Sequence, residues 1–127
     1  MADKKKILLI DDDPDYLAQA RIVLESGGYE VETAACGKDG VARFAEVKPD
    51  LAIIDMMMES YCEGFAAVDR IRELPGGQVP LILLSAVDVQ GPYQSYAPSE
   101  QSAKVDLVLQ KPIKAKDLLR HVGDLLR

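Results

Sequence analysis

The stretch Ile7-Leu8-Leu9-Ile10-Asp11-Asp12-Asp13-Pro14 passes from four consecutive aliphatic residues to three carboxylates and a proline. A strand with one wet face would alternate apolar and polar residues, and a helix needs a longer run. An unbroken aliphatic run of this kind reads as a strand buried on both faces, as in a parallel sheet covered by helices. The pattern recurs at Leu51-Ala52-Ile53-Ile54, Leu81-Ile82-Leu83-Leu84 and Leu107-Val108-Leu109. A weaker strand, Tyr29 to Ala35, follows the Gly27-Gly28 turn.

Helical patterns fill most of the intervals. Asp13-Pro14 reads as an N-cap followed by proline in the first turn, and Leu17, Ala20, Val23 and Leu24 then build one apolar face, with Gly27 as the stop. Lys38 to Glu46 reads as a second helix with Val41, Phe44 and Ala45 inward. A third carries Phe65, Val68, Ile71, Arg72 and Leu74 and ends at Pro75-Gly76-Gly77, and the last carries Leu118, Val122, Leu125 and Leu126. Between the fourth and fifth strands, Asp88 to Lys104 holds Gly91-Pro92, Pro98 and several Ser and Gln with almost no apolar stripe. A loop followed by a short helix from about Pro98 is expected there, so the fourth helix is irregular or shortened. Strands alternating with helices give an α/β fold, a flavodoxin-like doubly wound five-stranded parallel sheet in the order 2-1-3-4-5, with residues 1–127 forming a single domain.

Composition narrows the function. The chain has 127 residues, 48% of them apolar and 28% charged, which suits one ordinary globular domain and argues against wholesale disorder. No apolar run exceeds four residues, too short for a membrane span or the core of a secretion signal. With 21 acidic against 15 basic residues the net charge is −6, so direct binding of nucleic acid is not expected of this domain. Cys36 and Cys62 lack metal-site spacing, and free thiols without a leader sequence fit the cytoplasm.

Open parallel sheets gather their reactive side chains at the carboxyl ends of the strands, beside the point where strand order reverses. Here the first strand runs into Asp11-Asp12-Asp13, the third into Asp55, the fourth into Ser85 and the fifth into Gln110-Lys111-Pro112. The second ends in Ala35-Cys36 and offers nothing comparable. The order 2-1-3-4-5 makes the four loaded strands neighbours, so several carboxylates, a hydroxyl and an ammonium converge. At an effective dielectric near 20, two carboxylates about 4 Å apart repel by roughly 4 kcal/mol. A divalent cation relieves that repulsion, and an all-oxygen site suits Mg²⁺ or Mn²⁺. A carboxylate beside such an ion can attack phosphorus and form an acyl phosphate, with Ser85 and Lys111 placed to receive the phosphoryl oxygens.

At this point the chain closely resembles the receiver domain of two-component response regulators. Ile7 to Pro14, Pro49-Asp50-Leu51-Ala52-Ile53-Ile54-Asp55, Pro80 to Ala86, and Lys111-Pro112 match that family's motifs in order, across the whole chain. The resemblance implies that Asp55 is the phosphoacceptor and that Asp11 and Asp12 form the acidic pair. It implies Mg²⁺ bound by Asp12, Asp55 and the backbone carbonyl of Met57, with Ser85 as the switch hydroxyl and Lys111 as the family's lysine. It further implies a conformational signalling switch rather than an enzyme. Its partners would be a sensor histidine kinase or phosphotransfer protein upstream, and a downstream protein or an output domain beyond this chain.

Four features depart from the family pattern. Glu59 stands where a proline is usual, and Gly64 comes one residue late. The stretch from Ser85 to Lys111 is longer than is common, and Val108 occupies the position of an aromatic residue. A switch that couples hydroxyl movement to a ring flip cannot operate through valine.

Two other readings stand beside this one. Asp11-Asp12-Asp13 also resembles the Asp-x-Asp of metal-dependent phosphatases of the haloacid-dehalogenase type, with Asp11 as nucleophile. Asp15 is then out of pattern, and Asp55 has no role. A degenerate receiver that only binds partners is the third. Met56, Met57 and Met58, without Cys or His beside them, read as packing and loop residues, and His121 reads as a surface residue.

Overall fold

In the computed structural model, which describes residues 4–55, 63–85, 105–110 and 113–126, each aliphatic run is a strand. They are β1 (Lys6–Ile10), β2 (Glu30–Ala34), β3 (Leu51–Asp55), β4 (Leu81–Ser85) and β5 (Leu107–Gln110). All pair in parallel, in the order β2-β1-β3-β4-β5. The described helices are α1 (Pro14–Ser26), α2 (Gly37–Val47), α3 (Glu63–Glu73) and α4 (Ala115–Leu125). The irregular or shortened helix expected between β4 and β5 lies outside the described residues.

The continuous aliphatic runs are explained by two cores, one on each face of the sheet. Leu8, Ile10, Ala52, Ile54, Leu81 and Leu83 point to one side and pack with Phe44 of α2 and Ala67, Val68 and Ile71 of α3. Their neighbours Ile7, Leu9, Leu51, Ile53, Ile82 and Leu84 point to the other and meet Ala20 and Leu24 of α1 and Leu118 and Val122 of α4. Alternate residues of each strand thus enter opposite cores, and neither face offers a place for a polar residue. Full burial of each large aliphatic side chain contributes roughly 1.5–3 kcal/mol.

Local chemistry sets the helix ends. Asp13 caps α1 by accepting from the Asp15 N–H at 3.0 Å, with Pro14 in the first turn. Gly27 closes α1 as expected, but at φ −84°, which any residue can adopt. It is Gly28, at φ +93°, that turns the chain toward β2 through the left-handed region. Helix α2 runs one residue further at each end than its apolar pattern indicates: at its start the Cys36 thiol sulfur accepts from the Asp39 N–H at 3.5 Å, and at its end Lys48, left-handed at φ 50°, donates its N–H to the Phe44 carbonyl. Ala45, expected inward, is exposed, and Gly40 takes its place against the sheet. A Cβ at position 40 would collide with the Ile10 side chain, so glycine is what lets α2 approach β1 closely.

Candidate functional site

The sheet order reverses at β1. The chain leaves β1 for β2 on one side and returns to β3 on the other, with α1 and α2 on opposite faces. A crevice at the carboxyl ends of β1 and β3 follows from this topology. Asp11 directly follows β1, and its N–H donates to the Ala34 carbonyl at 3.1 Å, extending the pairing with β2 by one step. Its Oδ1 accepts from the Asp13 N–H at 2.9 Å. Asp13 in turn caps α1, so one short turn both starts the helix and orients the Asp11 carboxylate. Asp55 is the last residue of β3.

Asp11 is 2% exposed and Asp55 5%, the two charged residues buried among the described residues. Asp12 is exposed. Each of the three can offer a carboxylate oxygen such that all lie within 4.8 Å of one another. Burial removes the water that would otherwise screen Asp11 and Asp55, so their proximity favours a bound cation. The donor set is all oxygen, two acids buried and one open to solvent, which fits a hard divalent ion that keeps part of its water shell.

The other expected site residues are placed less fully. Ser85 closes β4, and its Cα faces that of Gln110 on β5. On the opposite side of β4, Asp55 is in register with Leu84. The ends of β1, β3, β4 and β5 therefore lie side by side, as the sequence order requires. The side chain of Ser85, and Met57 and Lys111 altogether, lie outside the described residues, as do Glu59, Cys62 and Pro112. Val108 is described: it is half-buried and packs on the α2 and α3 side of the sheet. His121 on α4 is also half-buried rather than on the open surface.

Two aspartates at the opposite end of the sheet were not singled out from the sequence. Asp50 precedes β3, donates its N–H to the Lys6 carbonyl at 2.7 Å and accepts the Lys6 N–H on Oδ2 at 2.8 Å. Asp106 precedes β5 and does the same with Leu81, at 2.9 and 2.8 Å. Arg72 reinforces the second pair, donating to Asp106 Oδ2 at 3.3 Å and to the carbonyls of Gly77 and Val79 at 2.8 and 2.7 Å. The visible signal was an aspartate immediately ahead of an aliphatic run in both Pro49-Asp50-Leu51 and Val105-Asp106-Leu107.

Comparison with known proteins agrees with this geometry. Residues 7–123 match the family model described as the response regulator receiver domain. The DNA-binding dual master transcriptional regulator RpaA of Synechocystis is 32% identical over 124 residues, covering 96% of this chain and 49% of that protein. The transcriptional regulatory protein AfsQ1 of Streptomyces coelicolor is 33% identical over 125 residues, covering 95% and 51%. The chain therefore spans about half the length of these curated relatives. Among solved structures, the response regulator TrrA of Thermotoga maritima, in complex with Mg(2+)-BeF, superposes with a TM-score of 0.82 at 28% identity, covering 96% of this chain and 99% of that one. The receiver domain of sensor histidine kinase PA1611 from Pseudomonas aeruginosa, with a magnesium ion coordinated in its active-site cleft, gives 0.84 at 26% identity and 98% coverage of both.

Proposed function

The chain belongs to the response regulator receiver domain family, and on that footing we propose that it is a switch operated by phosphorylation of Asp55, with residues 1–127 as one receiver domain. The observation that carries the reading is the trio Asp11, Asp12 and Asp55, gathered within 4.8 Å at the point where strand order reverses. A carboxylate oxygen of Asp55 attacks the phosphorus of a phosphohistidine on a histidine kinase or phosphotransfer protein. The new O–P bond forms as the N–P bond breaks, and the imidazole leaves to take up a proton. Asp11, Asp12, Asp55 and the backbone carbonyl of Met57 would hold Mg²⁺ or Mn²⁺. That ion, when bound, neutralises the carboxylates and the transferred group. Ser85 supplies a hydroxyl and Lys111 an ammonium to the phosphoryl oxygens.

Phosphorylation replaces the single charge of the Asp55 carboxylate by about −1.5 to −2 on the phosphoryl group, and this added charge and its new acceptor oxygens at a buried position bias a two-state equilibrium. Val108, in the place of the family's aromatic residue, requires that the change travel by some route other than a ring flip. The domain's product is thus a conformation rather than a released molecule, which makes it a signalling switch and not an enzyme acting on separate substrates. RpaA is named as DNA-binding, whereas this chain carries a net charge of −6. Any DNA contact would accordingly fall to a downstream partner or an attached output segment. Among the described residues no helix is long and apolar enough to cross a membrane, and Cys36 is a free thiol, in keeping with a place in the cytoplasm.

Intact-protein mass after incubation with acetyl phosphate tests the reading, with and without Mg²⁺ and with Asp55→Asn in parallel. A magnesium-dependent gain of one phosphoryl group that the variant lacks is the expected result. Modification that survives Asp55→Asn and is lost in Asp11→Asn would favour the phosphatase-like chemistry instead. No modification of the wild type, with donor and metal verified, would leave a domain that only binds partners.

A further inference from the structure

Strands β3 and β5 have a register problem that their side chains solve poorly. A strand with one buried face is held in register because a one-residue slip would turn its apolar set toward water. Leu51 to Ile54 are apolar throughout and buried on both faces. In β5, Leu107 and Leu109 pack on the α1 and α4 side and Val108 on the other, all half-buried. Within each run a slip would exchange one aliphatic residue for another, and only the flanking polar residue drawn in at one end would oppose it. Yet one residue of slip moves the strand's end by about 3.3 Å, enough to take Asp55 out of range of Asp11 and Asp12.

We propose that Asp50 and Asp106 are positioning residues that fix these registers and thereby assemble the site at the far end of the sheet. Each engages both backbone groups of one residue on the neighbouring strand, Lys6 for Asp50 and Leu81 for Asp106. A slipped strand cannot satisfy both bonds, because the partner N–H and carbonyl would belong to different residues. Asp50 sets β3 against β1, which puts Ile54 opposite Ile10 and so brings Asp55 to Asp11. Asp106, held by Arg72, sets β5 against β4 and puts Gln110 opposite Ser85. Lys111 is the next residue in the chain. The two pins therefore serve different parts of the site: Asp50 the carboxylate cluster, Asp106 the hydroxyl and lysine. The second assignment rests on the reading of Ser85 and Lys111 given under the proposed function.

This division of labour is what an experiment can read. In Asp50→Ala the affinity for Mn²⁺, measured by electron paramagnetic resonance, should fall by tenfold or more. In Asp106→Ala the Mn²⁺ affinity should stay within twofold of wild type while the rate of phosphorylation by acetyl phosphate at saturating Mg²⁺ falls roughly tenfold to a hundredfold, the scale set by misplacing a reacting group by an ångström or more. Asp50→Asn and Asp106→Asn keep an oxygen for the partner N–H and should recover most of each loss. The two alanine variants impairing both readouts equally would overturn the proposal, since general loosening would do that, and so would alanine variants indistinguishable from wild type. Should the alanine variants not fold, amide exchange in the wild type decides. The Lys6 and Leu81 amides should be protected to the degree of Leu9 and Leu83, and rapid exchange of either would refute its pin. A wild type that takes no phosphoryl group would sink the proposed function, while Mn²⁺ binding and amide exchange would still judge the pins.

Discussion

Neutralising Asp55 should stabilise the metal-free domain and remove most of the stabilisation that magnesium gives. Asp11 and Asp55 are 2% and 5% exposed, and their carboxylate oxygens lie no more than 4.8 Å apart. At an effective dielectric of about 20, like charges at that separation repel by roughly 3.5 kcal/mol. Solvent-exposed Asp12 adds a third charge, more weakly because water screens it. Favourable contacts of the two carboxylates reduce the gain. The Asp13 N–H already offsets part of the Asp11 charge, and an asparagine accepts fewer hydrogen bonds than the carboxylate it replaces. A net stabilisation of about 1–2 kcal/mol is expected for Asp55→Asn in EDTA, or about 4–8 °C in melting temperature for a domain of this size. Saturating magnesium should invert the order. At a hundredfold excess over its dissociation constant the ion would stabilise the wild type by about 2.7 kcal/mol, whereas the variant would lack one of the three carboxylates proposed to hold it. Differential scanning calorimetry in EDTA and in magnesium reads both. An Asp55→Asn domain that melts at or below the wild type in EDTA would refute the electrostatic account of the cluster.

Three further outcomes follow from local geometry. Asp13→Ala removes the α1 cap and should cost about 1 kcal/mol by urea titration, with weaker magnesium affinity because the Asp13 N–H no longer holds Asp11 so firmly. Gly77→Ala would drive a Cβ into the backbone carbonyl of Ile71, so its loss of stability should reach the upper end of the roughly 1–3 kcal/mol typical of overpacking. Leu24→Ala opens a cavity where Leu24 is 0% exposed between α1 and the sheet and should cost about 2–5 kcal/mol, with phosphorylation per folded molecule unchanged.

The parts of this molecule that could be read from its sequence are those governed by local rules. An aliphatic run without alternation has few alternatives to a two-sided buried strand, so β1, β3, β4 and β5 were legible, and their carboxyl-terminal residues Asp11, Asp55 and Ser85 with them. Asp13-Pro14 marked the start of α1 for an equally local reason. The errors arise where a neighbour decides. Ala45 suits an apolar stripe in composition, but the close approach of α2 to Ile10 rotates Gly40 inward and Ala45 out. Cys36 carries no helix-cap signal in the sequence, because sulfur is a weak acceptor and Ser, Thr, Asp and Asn are the usual caps. The helical pattern shows no role for Arg72, since its partners Gly77, Val79 and Asp106 come from three places in the chain.

The two ends of the sheet illustrate one constraint. A strand that enters a core on each face has nowhere along its length for a polar side chain, so polar residues collect where it begins and where it stops. At the carboxyl ends of β1 and β3 they are Asp11 and Asp55, whose charges repel and so favour a cation. At the amino ends of β3 and β5 they are Asp50 and Asp106, whose charges are answered by backbone N–H groups, and for Asp106 by Arg72 as well. The same residue type thus serves opposite purposes, decided by what faces it. A carboxylate set against a neighbouring strand's backbone acts as a structural clasp, and carboxylates gathered with one another form a candidate cation site. That difference explains why Asp50 and Asp55, five residues apart on either end of one strand, were not equally visible. The sequence displays Asp55 beside its reactive companions at other strand ends, but it does not display the Lys6 backbone that Asp50 grips.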